Sequence, residues 1–121
     1  KWLIPQAIPE GYTNSYWTMV LKLDNNKITW QDFRNKFKEF GGDGIYGAWM
    51  LGYLEPMYRA QNFMGREKMI ARYGDYKYER GLCPVAEEIQ PRLLQFKTNY
   101  WEEADAVKQA EILCKTADYF D

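Results

Sequence analysis

The chain contains no histidine. That absence removes Ser-His-Asp and Cys-His catalysis and the usual zinc ligand sets in one step. Its two cysteines, Cys83 and Cys114, are too few for a disulfide framework. They read as buried thiols in a reducing cytoplasm rather than as a bonded pair. No apolar run approaches the roughly 20 residues that span a bilayer, and no segment has the pattern of a signal peptide. With a net charge of −1 the chain has no long-range pull toward nucleic acid or an anionic membrane, so neither is expected as a partner. Gly-rich phosphate loops of the GxxxxGK[ST] or GxGxxG kind are also missing. The chain begins Lys1-Trp2-Leu3-Ile4-Pro5, without an initiator methionine, and reads as a piece of a longer protein.

What is present is a folded, ring-rich chain. Its 121 residues are expected to form a single domain, 1–121, that buries roughly two-thirds of its unfolded surface. Aromatic residues make up 17% of it, enough to call for a ring-rich core, a ring-rich interface, or both. Residues 1 to 14, with Pro5, Pro9 and Gly11, read as an extended segment outside regular structure. Ser15 to Leu23 is β-favouring and runs into the turn cluster Asp24-Asn25-Asn26, so it is expected to be a strand with Trp17, Met19, Leu21 and Leu23 on one face. Thr29 and Asp32 have capping-box spacing, and Trp30, Phe33, Phe37 and Phe40 follow at helical spacing up to Gly41-Gly42. Strand, capped helix and a second strand over Ile45 to Leu51 suggest a β-α-β start. Pro56 suits the first position of a short helical turn through Arg59.

Residues 60 to 82 interleave basic and aromatic side chains, a composition that can bind single strands. Acidic residues dilute it, and a solvated connector is the better reading. Pro84 opens a helix whose Val85, Ile89 and Leu93 share a side, and Pro91 is expected to kink or divide it. A last helix follows Asn99 to Glu102, which have capping-box spacing. Its apolar stripe is Ala106, Ala110, Leu113, Ala117 and Phe120, with Val107 and Cys114 beside it.

Catalytic chemistry is scarce in these patterns. Glu87-Glu88 and Glu102-Glu103 are adjacent pairs whose side chains diverge on a helix, so they read as solvated faces. The lysines sit in polar surroundings, unlike the desolvated amine that Schiff-base chemistry requires.

Several blocks taken in order carry a resemblance. They are Pro9-Glu10-Gly11 with Ser15-Tyr16-Trp17, Ile28-Thr29 with Phe33, and Gly44, Trp49 and Leu54-Glu55-Pro56-Met57-Tyr58-Arg59. Then come Cys83-Pro84-Val85-Ala86-Glu87-Glu88, Arg92-Leu93-Leu94, and a helix starting near Glu102-Glu103-Ala104-Asp105. The succession, from about Ile8 to Phe120, resembles the C-terminal small domain of the DegT/DnrJ/StrS sugar aminotransferases, pyridoxal-phosphate enzymes of the aspartate-aminotransferase fold. The resemblance implies an α+β fold, a small, mainly antiparallel sheet covered by helices. It also implies a homodimeric cytoplasmic parent that transfers an amino group from glutamate to a nucleotide-linked keto-sugar. Pyridoxal phosphate and the lysine that holds it would belong to a large N-terminal domain outside this chain. No catalytic or cofactor-binding residue is therefore expected here, no metal ligand is expected, and the chain alone is expected to be inactive.

The family's segment before the Pro-x-Tyr-Arg block borders the substrate and often carries His-Tyr and a further histidine. Aligned on Pro56, Tyr58 and Arg59, those positions hold Ala48, Trp49 and Tyr53. Trp49 keeps an aromatic wall. Ala48 and Tyr53 stand where the family has histidines, so a histidine's hydrogen bonding does not carry over. Trp49 and Tyr53 are the candidate substrate-binding residues. After Leu94 the family's Leu-Pro turn is replaced by Phe96-Lys97-Thr98. The alternative to this reading is a non-catalytic interaction module of the same shape.

Overall fold

Regular structure begins sooner than the two early prolines suggest. In the computed structural model, which describes residues 2–61 and 77–121, the order is β1 (Leu3–Pro5), β2 (Met19–Leu23), α1 (Trp30–Glu39), β3 (Ile45–Gly47), α2 (Pro56–Arg59), α3 (Pro84–Ile89), β4 (Leu93–Phe96) and α4 (Glu103–Tyr119). Two compact units result: residues 1–48 with 91–121, and residues 49–90.

The first unit is built on an open antiparallel sheet in the order β1-β2-β4-β3. The fold is α+β, as expected. Because β4 runs antiparallel to both β2 and β3, those two strands are parallel to each other, joined through α1 with β4 inserted between them. The register pairs Met19 and Ile45 with Phe96, and Leu21 and Gly47 with Leu94, so one face of the sheet is continuously apolar. Phe33 and Phe37 of α1 and Ile112 of α4 are buried with Leu21, Leu23, Ile45, Leu94 and Phe96 in a single core. Each large apolar side chain so buried contributes on the order of 1.5–3 kcal/mol.

Local signals set the ends of α1. The Asp32 amide donates to Oγ1 of Thr29 at 3.1 Å, and Oδ2 of Asp32 accepts from the Thr29 amide at 2.8 Å, closing the capping box. At the other end Gly41 takes a φ of +91°, open to glycine at little cost, and the Gly42 amide donates to the Phe37 carbonyl at 2.9 Å.

Several expectations are corrected. Leu3–Pro5 is a strand because it pairs with Leu21–Leu23 of β2. β2 starts only at Met19: the Tyr16 amide donates to Oδ1 of Asn14 at 2.9 Å, Tyr16 has a φ of +48°, and the chain turns there. Trp17 is consequently exposed, not on the core face. β3 stops at Gly47, not Leu51. A Cβ at Gly47 would lie 2.8 Å from the Trp30 ring, so the chain passes tightly over that indole before leaving the sheet. Pro91 ends the helical pattern rather than kinking it: α3 stops at Ile89, a 3₁₀ turn spans Gln90–Arg92, and Leu93 belongs to β4.

Helix α4 is capped by the backbone of Glu102, with no side-chain bond, and Asn99 is not its cap. Its buried positions are Ile112 and Thr116, one turn apart, while Ala110, Val107 and Cys114 are exposed. The hydroxyl of Thr116 is accommodated in the core because it donates to the Ile112 carbonyl at 2.7 Å. Cys114 lies two residues past Ile112, about 200° around the helix, and so faces away from the sheet. Cys83 directly precedes α3. Both cysteines are exposed and free, not buried as expected. The connector reading of residues 60 to 82 falls mostly on residues 62–76, outside those described. No described helix is long and apolar enough to cross a membrane.

Candidate functional site

The second unit contains both candidate residues. After Trp49, the Leu54 amide donates to the Leu51 carbonyl at 2.8 Å, forming the 3₁₀ turn Gly52–Leu54. Pro56 then opens α2 at the position where its missing N–H costs nothing. Pro84 does the same for α3.

Helix α3 and the residue that follows it hold the 49–53 segment at two points. Oε1 of Glu87 accepts the phenolic proton of Tyr53. Three positions on, Nε2 of Gln90 donates to the Trp49 carbonyl at 3.1 Å. Gln90, just past the end of α3, keeps helical backbone angles, and residues three apart lie on one helix face, which is why Glu87 and Gln90 reach the same segment. Oε1 of Glu87 also accepts from the Gly81 amide at 2.7 Å and the Cys83 amide at 3.4 Å. Gly81 has a φ of +98°, the backbone turn that presents its N–H to this carboxylate.

These contacts set the charge states. Burial and the bond to Glu87 push the Tyr53 phenol up to about 12. The same bond, followed by the Gly81 and Cys83 amides and the charge of Arg80, holds the Glu87 carboxyl below its usual range. At neutral pH, therefore, Tyr53 is a phenol committed to Glu87 and Glu87 is an ionised acceptor. The pair fixes geometry and is not arranged as an acid and base for a substrate.

Trp49 and Tyr53 thus lie in one anchored segment but in opposite conditions. The Tyr53 ring is half-buried and its hydroxyl is used. The Trp49 backbone is tied down while 77% of the residue is exposed, beside the exposed Met50. The sequence reading missed Glu87 and Gln90. Glu87 had one usable signal, an acid in the first turn of a proline-started helix, but it was read as a solvated face. Glu88, which is exposed, does fit that reading.

A cavity of about 480 Å³ in the same unit is lined by Met50, Leu54, Arg59, Glu79 and Arg80. In the first unit, the Tyr100 hydroxyl donates to Oδ2 of Asp43 at 3.0 Å, Nζ of Lys97 lies 3.8 Å from that oxygen, and the Asp43 amide donates to Oε1 of Gln109 at 2.8 Å. Burial and the Asp43 bond push Tyr100 to about 12. This polar cluster edges an otherwise apolar cavity of about 250 Å³ against α4. Among the described residues, no group of three or more acidic or cysteine side chains is placed to hold a metal ion. No family model, no curated protein and no solved structure matches this chain.

Proposed function

We propose that the chain is the C-terminal small domain of a pyridoxal-phosphate-dependent sugar aminotransferase. In that role residues 49–53 form one wall of the cleft for a nucleotide-linked keto-sugar. The observation that carries this reading is the state of Trp49: a backbone fixed by Gln90 under an indole left open to solvent. An exposed indole on a fixed backbone offers a large flat surface to a ligand containing rings. The α+β architecture agrees with the resemblance.

Four of the described lysines do not fit the cofactor. Lys22, Lys36 and Lys97 are paired with Asp24, Glu39 and Asp43, and Lys115 lies over the Phe40 ring. The bond to Glu39 holds Lys36 more firmly protonated than usual, the reverse of what an imine-forming amine needs. The cofactor would be held by the large domain of the parent, which would also supply the dimer's catalytic centre.

The test is amino transfer by the parent protein. Supplied with pyridoxal phosphate, glutamate and a nucleotide-linked keto-sugar, it should form 2-oxoglutarate and the amino-sugar in equal amounts. A parent that carries no large domain, or produces no 2-oxoglutarate from any such sugar, would sink the reading. The second reading, an interaction module, is favoured by the exposure of Trp17 and Trp101 in the first unit. It predicts binding to a partner protein that Trp101→Ala abolishes.

A further inference from the structure

We propose that the cavity of about 250 Å³ against α4 is a binding site for a small neutral aromatic molecule carrying one hydroxyl, held at the rim by Asp43 and Gln109. The cavity lies wholly within the first unit and involves none of residues 49–53, so it stands apart from the aminotransferase reading.

The hollow has a cause in the sequence. Ala106, Ala110 and Leu113 recur on one face of α4 at steps of four and three. The helix is buried only further along, at Ile112 and Thr116. Two alanines stop at a methyl group, so the volume that longer side chains would occupy stays open beside Met19, Phe37 and Phe96. Phe37 and Phe96 pack edge-on with centroids 5.8 Å apart, and both are buried, which fixes the walls. Ring walls and a thioether favour an aromatic guest over a saturated one. An apolar cavity of roughly 150 Å³ is enough for benzene, so this one accommodates a ring with a substituent.

Polar side chains converge only at the rim. The Tyr100 hydroxyl and the Lys97 ammonium both approach Oδ2 of Asp43, and Lys97 balances its charge. The Thr98 hydroxyl is spent on the Tyr16 and Trp17 carbonyls. Gln109 uses Oε1 to accept the Asp43 amide. Among the described residues, Oδ1 of Asp43 and Nε2 of Gln109 are left without a partner. One is an acceptor and the other a donor, and a hydroxyl, which donates and accepts at once, matches both. A charged ligand is disfavoured, because Asp43 and Lys97 already balance each other and the walls are apolar.

The experiment is a phenol titration of the chain followed by carbon-13 methyl NMR, with toluene and cyclohexanol in parallel. Phenol should shift the methyl signals of Met19, Ala106, Ala110 and Leu113 saturably, and leave those of Met50 and Met57 in the second unit unmoved. Cyclohexanol should bind about threefold weaker than phenol. Ala106→Leu and Ala110→Leu, changes that a helix tolerates, should each fill the hollow and weaken phenol about tenfold or more. An unchanged circular dichroism spectrum shows that each variant folds. Asp43→Asn keeps an acceptor for Tyr100 but turns an N–H toward the ligand's hydroxyl proton. It should weaken phenol about fivefold and leave toluene unchanged. No saturable shift at these methyl groups, or shifts unaltered by both leucine variants, would overturn the site. Cyclohexanol binding as tightly as phenol would overturn the aromatic class, and an equal effect of Asp43→Asn on phenol and toluene would overturn the role of the rim. In the intact parent the same methyl groups should respond to phenol. Silence there would show that another segment of the parent fills the cavity, which also overturns the proposal.

Discussion

Tyr53 and Glu87 are joined by a hydrogen bond from the phenol to Oε1, so a 3₁₀ turn and a helix 34 residues apart in sequence share one proton. The two groups titrate from opposite sides. The folded Glu87 is below its unfolded value of about 4.3, so its contribution is complete above that pH and is lost as pH falls through the lower folded value. Tyr53 is raised to about 12, so its contribution is complete below the unfolded value, roughly 10, and is lost as pH rises toward about 12. The pair should therefore hold steady from about pH 5 to about pH 9. Carboxyl-carbon NMR of Tyr53→Phe should show the Glu87 titration moved up toward an ordinary glutamate. An unmoved midpoint would mean that the bond does not form in solution.

Trp49→Ala separates binding from stability. Exposed substitutions usually change stability by no more than about 0.5 kcal/mol, and Gln90 grips the carbonyl, which alanine keeps. Tm should stay within about 2 °C of the wild type, while KM for the sugar rises in the parent enzyme. A large fall in Tm with KM unchanged would make Trp49 a packing residue.

How much of this was legible depended on how local the causes were. Every determinant of α1 lies within it or directly beside its ends: Thr29 and Asp32, the phenylalanine spacing, and Gly41-Gly42. Strand β4 was missed because its identity comes from pairing with β2 and β3 at once, and the helical spacing of Val85, Ile89 and Leu93 carried the helix pattern past its true end at Ile89. On α4 the alanines suggested a buried stripe, but Ile112 fills the space over the sheet, and Thr116 is tolerated only because its hydroxyl bonds back to the helix. The site shows the same division. Residue type marked Trp49 and Tyr53 as aromatic surface. That Tyr53 is spent on Glu87 depends on a partner no local pattern indicates.

Tyr100→Phe removes one half-buried hydrogen bond, that to Asp43, and leaves the ring beneath Nζ of Lys97, 4.6 Å from its centroid. A loss of about 0.5–1.5 kcal/mol in urea unfolding is expected, with the m-value unchanged. Asp43 keeps Lys97 nearby, so the carboxylate is not stranded. A loss above roughly 3 kcal/mol would mean that the cluster is a cooperative network instead of a single bond.

Adjacent glycines after α1 should respond differently to the same methyl group. At Gly41 the added Cβ meets nothing within 4 Å, but the φ of +91° strains any L-residue, so Gly41→Ala should cost about 1 kcal/mol. At Gly42 the Cβ would fall 2.2 Å from the Phe37 ring, itself 2% exposed in the core. Neither atom has room to retreat: the Gly42 amide is tied to the Phe37 carbonyl, and the ring packs edge-on against Phe96. Gly42→Ala should therefore cost about 2–3 kcal/mol or more, the upper part of the range for overpacking a filled core. Denaturant unfolding of the two variants side by side decides it. Equal losses would show that the α1–β3 turn yields to the methyl group, and that backbone conformation, not the approach of Gly42 to Phe37, is what glycine supplies there.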